Sequence, residues 1–244
     1  MLLKRIFYIV CVFYTLNSYS QTNSKDMYEF PVRGHEEWWQ LTVEQRIAAL
    51  QIPDVVLETI STEGLLETCL AYPYLINVIF CDDYQQGFEG LTAEFNGFRE
   101  IFKRSDMMNV LIEKYKNFPL EVKDIRLLQE SEQGGFSFRH FVLELMLAQD
   151  AVFKNLSAEQ EEQLFVLTLE HKQMRQDYSD IFGNLNEVPF NLLYAKKITS
   201  DPTVIFDNME LKNALLDFIQ SPGIPGQSIM DYIEDYVSVK YKKP

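Results

Sequence analysis

The stretch GFEGLTAEFNGFREIF, residues 87–102, carries the clearest helical signal in the chain. Large apolar side chains recur in it every three or four residues, which places on one helical face Phe88, Leu91, Phe95, Phe98 and Phe102. This spacing predicts one helix that buries its aromatic face. Apolar and polar residues alternate nowhere over a stretch long enough for a sheet. The sequence therefore predicts an all-α fold, a single irregular multi-helix domain arranged as a helical bundle or array.

Three glycines accompany this aromatic stripe, each one residue before a stripe position: Gly87, Gly90 and Gly97. A glycine inside a helix costs about 1 kcal/mol relative to alanine, so some gain must offset it. Close approach of a neighbouring helix is the expected gain. A ligand or partner that touches the glycines is the alternative.

Other helix boundaries follow from capping residues and breakers. Thr42 with Gln45, and Ser157 with Gln160, form capping boxes that open helices. Residues 107–115 and 120–128 indicate two short helices, and Gly134-Gly135 indicates a loop. A helix is predicted from residue 137 to about residue 153.

The first twenty residues are typical of a secretory signal peptide. Lys4 and Arg5 precede an apolar run over residues 6–16, which is shorter than the roughly 20 residues that span a bilayer. Ser18-Tyr19-Ser20 offers small residues for cleavage. We expect a signal peptide over residues 1–20, an extended leader over 21–36 and the helical domain over 37–240. The mature protein is expected to be periplasmic or extracellular, without a transmembrane anchor.

The net charge limits the classes of partner. The full chain carries a formal net charge of −14 at pH 7. Loss of Lys4 and Arg5 with the signal peptide lowers that charge to about −16. Nucleic-acid binding needs a clustered basic face, and the basic cluster in this sequence is a few lysines at its end. Nucleic acid is therefore not an expected partner.

The two cysteines of the mature chain, Cys69 and Cys81, allow two interpretations. An even number of cysteines in an exported protein is typical of a disulfide. The alternative is two buried free thiols that pack as small apolar groups.

A tryptophan pair follows the leader in the run His35-Glu36-Glu37-Trp38-Trp39. The run resembles a zinc-protease helix, but tryptophan occupies the position of the second histidine, so we discard that interpretation. Trp38 and Trp39 are expected to anchor the leader on the domain. An exposed aromatic platform for a ligand or partner is the alternative.

The sequence contains three histidines, and two of them form a candidate metal site. His140 and Glu144 are four residues apart and share a helical face, while His171 lies on the apolar line of the next long helix. If these helices form an antiparallel hairpin that turns near Asn155, both histidines lie at the same height. Two imidazoles and a carboxylate suit zinc or iron. Two hydrogen-bonded core histidines are the alternative.

Other chemical motifs are weaker. Asp82 and Asp83 lie beside an expected helix start, where acidic residues act as caps, and they lack the ligand spacing of a calcium loop. The sequence has no Gly-x-Ser-x-Gly elbow, phosphate-binding glycine loop or Cys-x-x-Cys pair.

Between residues 30 and 104 the chain contains a series of short segments in a fixed order: Pro31-Val32, Glu37-Trp38, Ala49 to Pro53, Ser61-Thr62 through Leu66 to Cys69-Leu70, Tyr72-Pro73, Gln86-Gly87-Phe88, and Phe95-Asn96-Gly97 ending in Arg104. In order and spacing this series resembles a family of uncharacterised exported bacterial α-helical proteins. The resemblance implies export and a helical fold. It implies no activity, cofactor or catalytic residue.

These sequence features lead to two alternative predictions of function. Because no catalytic signature is present, we expect an exported, non-catalytic binding or interaction module of the cell envelope or exterior, with a protein or peptide partner. The alternative is a metal-binding protein or metal-dependent enzyme that uses His140, Glu144 and His171.

Overall fold

The computed structural model describes residues 26–31, 34, 36–183 and 187–241 of the 244-residue chain, without the side chains of residues 119–124. The predicted signal peptide and His35 lie outside the described residues. Within those ranges the chain is helical, contains no strand and forms one domain, which confirms the predicted all-α class.

The described ranges contain fourteen α-helices and one 3₁₀ helix. In chain order they are α1 (Glu36–Gln40), α2 (Val43–Ala49), α3 (Asp54–Leu57), α4 (Thr62–Leu70), the 3₁₀ helix (Leu75–Ile79), α5 (Tyr84–Glu94), α6 (Asn96–Ile101), α7 (Met107–Ile125), α8 (Glu130–Leu147), α9 (Asp150–Phe153), α10 (Ala158–Asp177), α11 (Ser179–Phe182), α12 (Glu187–Ser200), α13 (Met209–Gln220) and α14 (Gln227–Lys240). None of these helices is long and apolar enough to cross a membrane.

The aromatic stripe lies in the core as predicted. The prediction that one helix carries the whole stripe is wrong. The chain leaves the helix at Phe95, which has extended backbone angles (φ −110°, ψ 124°) and separates α5 from α6. The Asn96 side chain accepts a hydrogen bond from the Ile52 N–H at 3.0 Å and donates one to the Ile52 carbonyl at 2.7 Å. These two bonds stabilise the break. Phe95 remains fully buried and stacks on Tyr72.

The three glycines of the stripe have separate roles. A Cβ atom on Gly87 would overlap the backbone carbonyl of Val78, so the 3₁₀ helix can approach α5 only because residue 87 is glycine. A Cβ on Gly97 would overlap the ring of Phe95. Gly90 is exposed and faces open space. The predicted close approach is therefore confirmed at Gly87, and the three glycines do not form one contact strip.

Capping residues act where the sequence predicted them. Thr42 and Ser157 each accept a hydrogen bond from the backbone N–H three residues later, and the glutamine there bonds back in both cases. Asp83 caps α5 by accepting from the Gln86 N–H at 2.8 Å. The capping interpretation of Asp83 is confirmed.

Two helices of the second half extend through predicted breaks. Helix α7 is continuous where the sequence indicated two helices, and buried side chains lie on both sides of the predicted break, at Leu111, Tyr115, Phe118 and Ile125. Helix α8 includes Gly134 and Gly135, where a loop was predicted. A capping box at Gln129 starts α8 early enough to include them, and the helix ends at Leu147 rather than near residue 153.

The N-terminal segment is attached to α4. The Asp26 carboxylate accepts a hydrogen bond from the Ser61 N–H at 2.6 Å, and the Tyr28 N–H donates to the Thr68 hydroxyl at 3.0 Å. Trp38 is buried in the core, whereas Trp39 is 64% exposed. The burial of Trp38 agrees with an anchoring role, whereas the exposure of Trp39 contradicts that role for this residue.

Both cysteines are free in this structure. Cys69 is fully buried in the core, as expected for a free thiol. Cys81 is exposed, so the prediction that both free thiols are buried is wrong for this residue. The 3₁₀ helix between them carries the chain from the core to the surface.

Candidate functional site

Helix α8 supplies the first two candidate ligands. Nearly every residue from Phe136 to Leu147 is buried, which is typical of a helix surrounded by others. His140 and Glu144 lie one turn apart on α8, and neither side chain is exposed. His140 Nε2 lies 3.8 Å from Glu144 Oε1. Isolated charges are costly in such a place, so these groups need partners.

Helix α10 supplies the third candidate ligand, as the sequence predicted. His171 is fully buried, and its Nδ1 lies 2.8 Å from His140 Nε2, so one ring nitrogen donates a hydrogen bond to the other. The two rings are nearly parallel, with centroids 5.1 Å apart. Glu144 completes the group, and the nearest ligand atoms of the three residues all lie within 4.8 Å of one another. In the part of the chain that the structure describes, no other group of three such side chains meets this condition.

Two further residues hold Glu144. The Tyr115 hydroxyl on α7 donates a hydrogen bond to Glu144 Oε1 at 2.6 Å. Arg175 on α10 donates from Nη1 to the same oxygen, also at 2.6 Å. The Tyr115 ring lies against the His171 ring, with centroids 3.7 Å apart. One carboxylate oxygen thus joins helices α7, α8 and α10.

Four buried polar atoms of this cluster have no hydrogen-bond partner within the protein: Glu144 Oε2, His171 Nε2, Arg175 Nε and Arg175 Nη2. Most native proteins satisfy nearly all such buried groups with protein atoms, water or ligands. Two of the four belong to the candidate ligand set and are atoms of the kind that bind metal ions. Protein atoms alone therefore do not satisfy the hydrogen-bonding capacity of this cluster.

Burial controls the protonation of the cluster. It lowers the pKa of His171 to about 3, with a further contribution from His140, so this imidazole is neutral at physiological pH. Burial also raises the pKa of Tyr115 well above its usual range, and the Glu144 charge adds to that effect. Burial opposes the charge on Arg175, but Glu144 and other nearby acidic groups outweigh it and raise the arginine pKa. The cluster therefore holds a neutral histidine, a neutral tyrosine and a charged arginine.

Aromatic rings enclose the histidine side of the cluster. The centroids of the rings around His140 lie within 5.9 Å of its own: Tyr115, Phe118, His171 and Phe182. Phe136 contacts Phe118 and Phe182 behind them. Such an apolar shell excludes bulk water and strengthens electrostatic interactions inside it.

The donor set fits a transition-metal ion better than a substrate. Zinc is bound tetrahedrally, about 2.0–2.2 Å from nitrogen and oxygen ligands, so two ligand atoms lie about 3.3–3.6 Å apart. The ligand atoms of this cluster, within 4.8 Å of one another, would therefore move inward by about 1 Å to hold an ion. None of the three candidate ligands is accessible from the surface. The arrangement can hold an ion, and it offers no exposed group to a diffusing substrate.

Sequence reasoning found the three candidate ligands but missed Tyr115 and Arg175. Arg175 follows His171 by four residues and therefore shares its helical face, which was a usable signal. Tyr115 lies within the buried stripe of α7, where a tyrosine cannot be distinguished by pattern from an ordinary core residue. Only the packing of α7 against both α8 and α10 reveals its role.

The other predicted site residues do not converge on a ligand site. Gly87 and Gly97 are accounted for by packing, and Gly90 faces solvent. Trp39 is exposed, and the Arg46 guanidinium lies over its ring at 5.3 Å from the centroid. Two surface pockets of about 500 and 350 Å³ are lined mainly by charged and polar side chains rather than apolar ones.

In comparisons with protein-family models, curated proteins and solved structures, nothing matches this chain. The family resemblance of residues 30–104 therefore stays a prediction.

Proposed function

We propose that this protein binds one transition-metal ion, zinc or iron, in its core through His140, Glu144 and His171. The observation that carries the proposal is that two imidazoles and a carboxylate meet in the core with ligand atoms within 4.8 Å of one another, and that Glu144 Oε2 is fully buried without a hydrogen-bond partner in the protein. A metal ion would satisfy atoms that the protein leaves unsatisfied. The neutral state of His171 suits this role, because a metal binds the deprotonated imidazole nitrogen.

Hydrogen bonds around the cluster support the same proposal. Metal-binding carboxylates are themselves commonly held by outer partners, which fix their orientation. Tyr115 and Arg175 both bond Glu144 through Oε1, which leaves Oε2 available for an ion. The three ligands come from two helices that share α7 as a neighbour. Bound metal would therefore strengthen the packing of the second half of the domain.

The proposed role is binding rather than catalysis. A catalytic zinc site has three protein ligands and an open fourth position that admits water or substrate. Here the ligands are completely buried beneath aromatic rings. We place this metal-binding protein in the periplasm or outside the cell, on the basis of the signal-peptide pattern in residues 1–20. Its acidic charge argues against nucleic acid as a partner.

A protein or peptide partner is the second candidate function, and exposed Trp39 favours it. Tryptophan is enriched at interfaces, and this one is 64% exposed. Cross-linking in the native envelope, compared between wild type and Trp39→Ala, tests this candidate. A partner that is captured equally by both proteins would exclude Trp39 as its contact.

The metal content of the mature protein, purified without chelator, tests the main proposal. We expect about one zinc or iron ion per chain by elemental analysis, and loss of that ion in His171→Ala. His35→Ala is the matched control, because His35 is the one histidine of the sequence that is not a proposed ligand. Circular dichroism checks that each variant is folded.

Two results would overturn the proposal. One is a folded wild-type protein that is metal-free and does not take up added zinc(II) or iron(II). The other is a folded His171→Ala variant that retains the ion, or a His35→Ala variant that loses it. Either result would leave the cluster as a hydrogen-bonded core network.

A further inference from the structure

Arg175 has two acidic neighbours on opposite sides. Its Nη1 donates to Glu144 Oε1 at 2.6 Å, and its Nε lies 3.9 Å from Glu187 Oε1 at the start of α12. Glu144 is completely buried, whereas the Glu187 side chain is 37% exposed. The guanidinium also lies over the ring of Phe190 on α12, 5.7 Å from its centroid. Arg175 thus lies between the metal-ligand cluster and α12.

The hydrogen bonding of Arg175 is incomplete in this arrangement. Its side chain is 2% exposed, yet Nε and Nη2 have no hydrogen-bond partner within the protein. A guanidinium offers five N–H donors and usually satisfies most of them when buried. A short movement toward Glu187 would give the unpartnered Nε an acceptor, because the two atoms are already 3.9 Å apart.

The charges of these groups indicate which partner Arg175 would prefer with and without a bound metal ion. Without metal, the buried Glu144 carboxylate needs a counter-ion, and Arg175 supplies it. A divalent ion bound to Glu144 would take over that function and would repel the nearby guanidinium. Glu187 then becomes the better partner for Arg175, since its carboxylate lies 3.9 Å from Arg175 Nε at the edge of the core.

We propose that Arg175 holds Glu144 while the metal site is empty and transfers to Glu187 when the metal binds. This inference rests on the proposed metal-binding function. It makes Arg175 a positioning residue that opposes metal entry, and Glu187 a residue that favours it. Metal occupancy is thereby coupled to α12, because Glu187 and Phe190 both belong to that helix.

Zinc chloride titrated into metal-free protein against a chromophoric chelator tests this transfer. We expect Arg175→Gln to bind zinc about 10- to 100-fold more tightly than wild type, the range over which outer residues change metal affinity. Glu187→Gln should bind about tenfold more weakly. Glu234→Gln is the matched control, because Glu234 pairs with Lys172 on the same helix as Arg175, and its affinity should be that of wild type.

The double variant Arg175→Gln/Glu187→Gln separates the transfer from a simple charge effect. If Glu187 acts through Arg175, its replacement changes nothing once Arg175 is absent, and the double variant binds zinc like Arg175→Gln alone. Additive effects of the two replacements would overturn the inference, as would unchanged affinity in Glu187→Gln. If Arg175→Gln does not fold, the zinc affinity of Glu187→Gln still tests the inference: weaker binding supports it, and unchanged binding overturns it. A wild-type protein that binds no zinc would instead refute the proposed function itself.

Discussion

Replacing Glu144 by glutamine should destabilise the metal-free protein strongly, because it leaves the Arg175 charge buried without its partner. The two side chains are 0% and 2% exposed and meet at 2.6 Å. Removal of one member of such a buried pair costs about 3–5 kcal/mol. Glutamine keeps an oxygen that can accept the Tyr115 hydrogen bond, so the change tests mainly the charge. In a domain of this size, each kcal/mol lowers Tm by about 2–4 °C, so the expected decrease is roughly 6–20 °C.

The assay is urea unfolding of four metal-free proteins in EDTA: wild type, Glu144→Gln, Arg175→Met and the double variant. The double variant should recover much of the loss, because it contains no unpaired charge. We expect a coupling energy of at least about 2 kcal/mol, within the range measured for residues in contact. Glu113→Gln is the control: it removes an exposed carboxylate that pairs with Lys116, and its stability should remain close to wild type. A loss below about 1 kcal/mol in Glu144→Gln, or additivity within about 0.5 kcal/mol, would refute the reasoning.

Three further predictions concern other parts of the fold. Because the pKa of His171 falls from 6.5 unfolded to about 3 folded, the unfolded state takes up a proton first. Stability should therefore decrease as pH falls from about 6.5 toward 3, by at most about 1.4 kcal/mol per pH unit, and His171→Gln should show a shallower decrease in unfolding midpoints. Gly87→Ala should lose about 1–3 kcal/mol because its Cβ would strike the 3₁₀ helix, whereas Gly90→Ala should be neutral or gain up to about 1 kcal/mol; equal unfolding midpoints would contradict this. In a thiol-reagent assay on the mature chain, exposed Cys81 should react at once and buried Cys69, whose pKa burial raises, only after unfolding; two fast thiols would be inconsistent with the structure.

The helical class and many helix starts were predictable from local sequence. Capping boxes at Thr42 and Ser157 act within four residues, so they need no tertiary information. The apolar stripe of residues 87–102 correctly indicated a buried face, because a helix period can be recognised from spacing alone. These features depend on neighbours in the chain.

Helix breaks were less predictable, because they depend on contacts that are distant in sequence. The chain breaks at Phe95 since Asn96 bonds the backbone of Ile52, more than 40 residues away. Conversely, α8 passes through Gly134 and Gly135 because a capping box starts it before them and a buried face follows. In both cases the interactions made in the folded protein outweigh the helix propensity of the local residues, which is about 1 kcal/mol for a glycine relative to alanine.

For the candidate site, the sequence by itself determined that His140 and Glu144 share a helical face and that His171 lies on the buried face of α10. Only the tertiary structure decided that these side chains meet, and that Tyr115 and Arg175 hold the carboxylate. The physical reason is that helical periodicity fixes the direction of a side chain around its own axis. The rotation and separation of neighbouring helices depend instead on how the whole core packs.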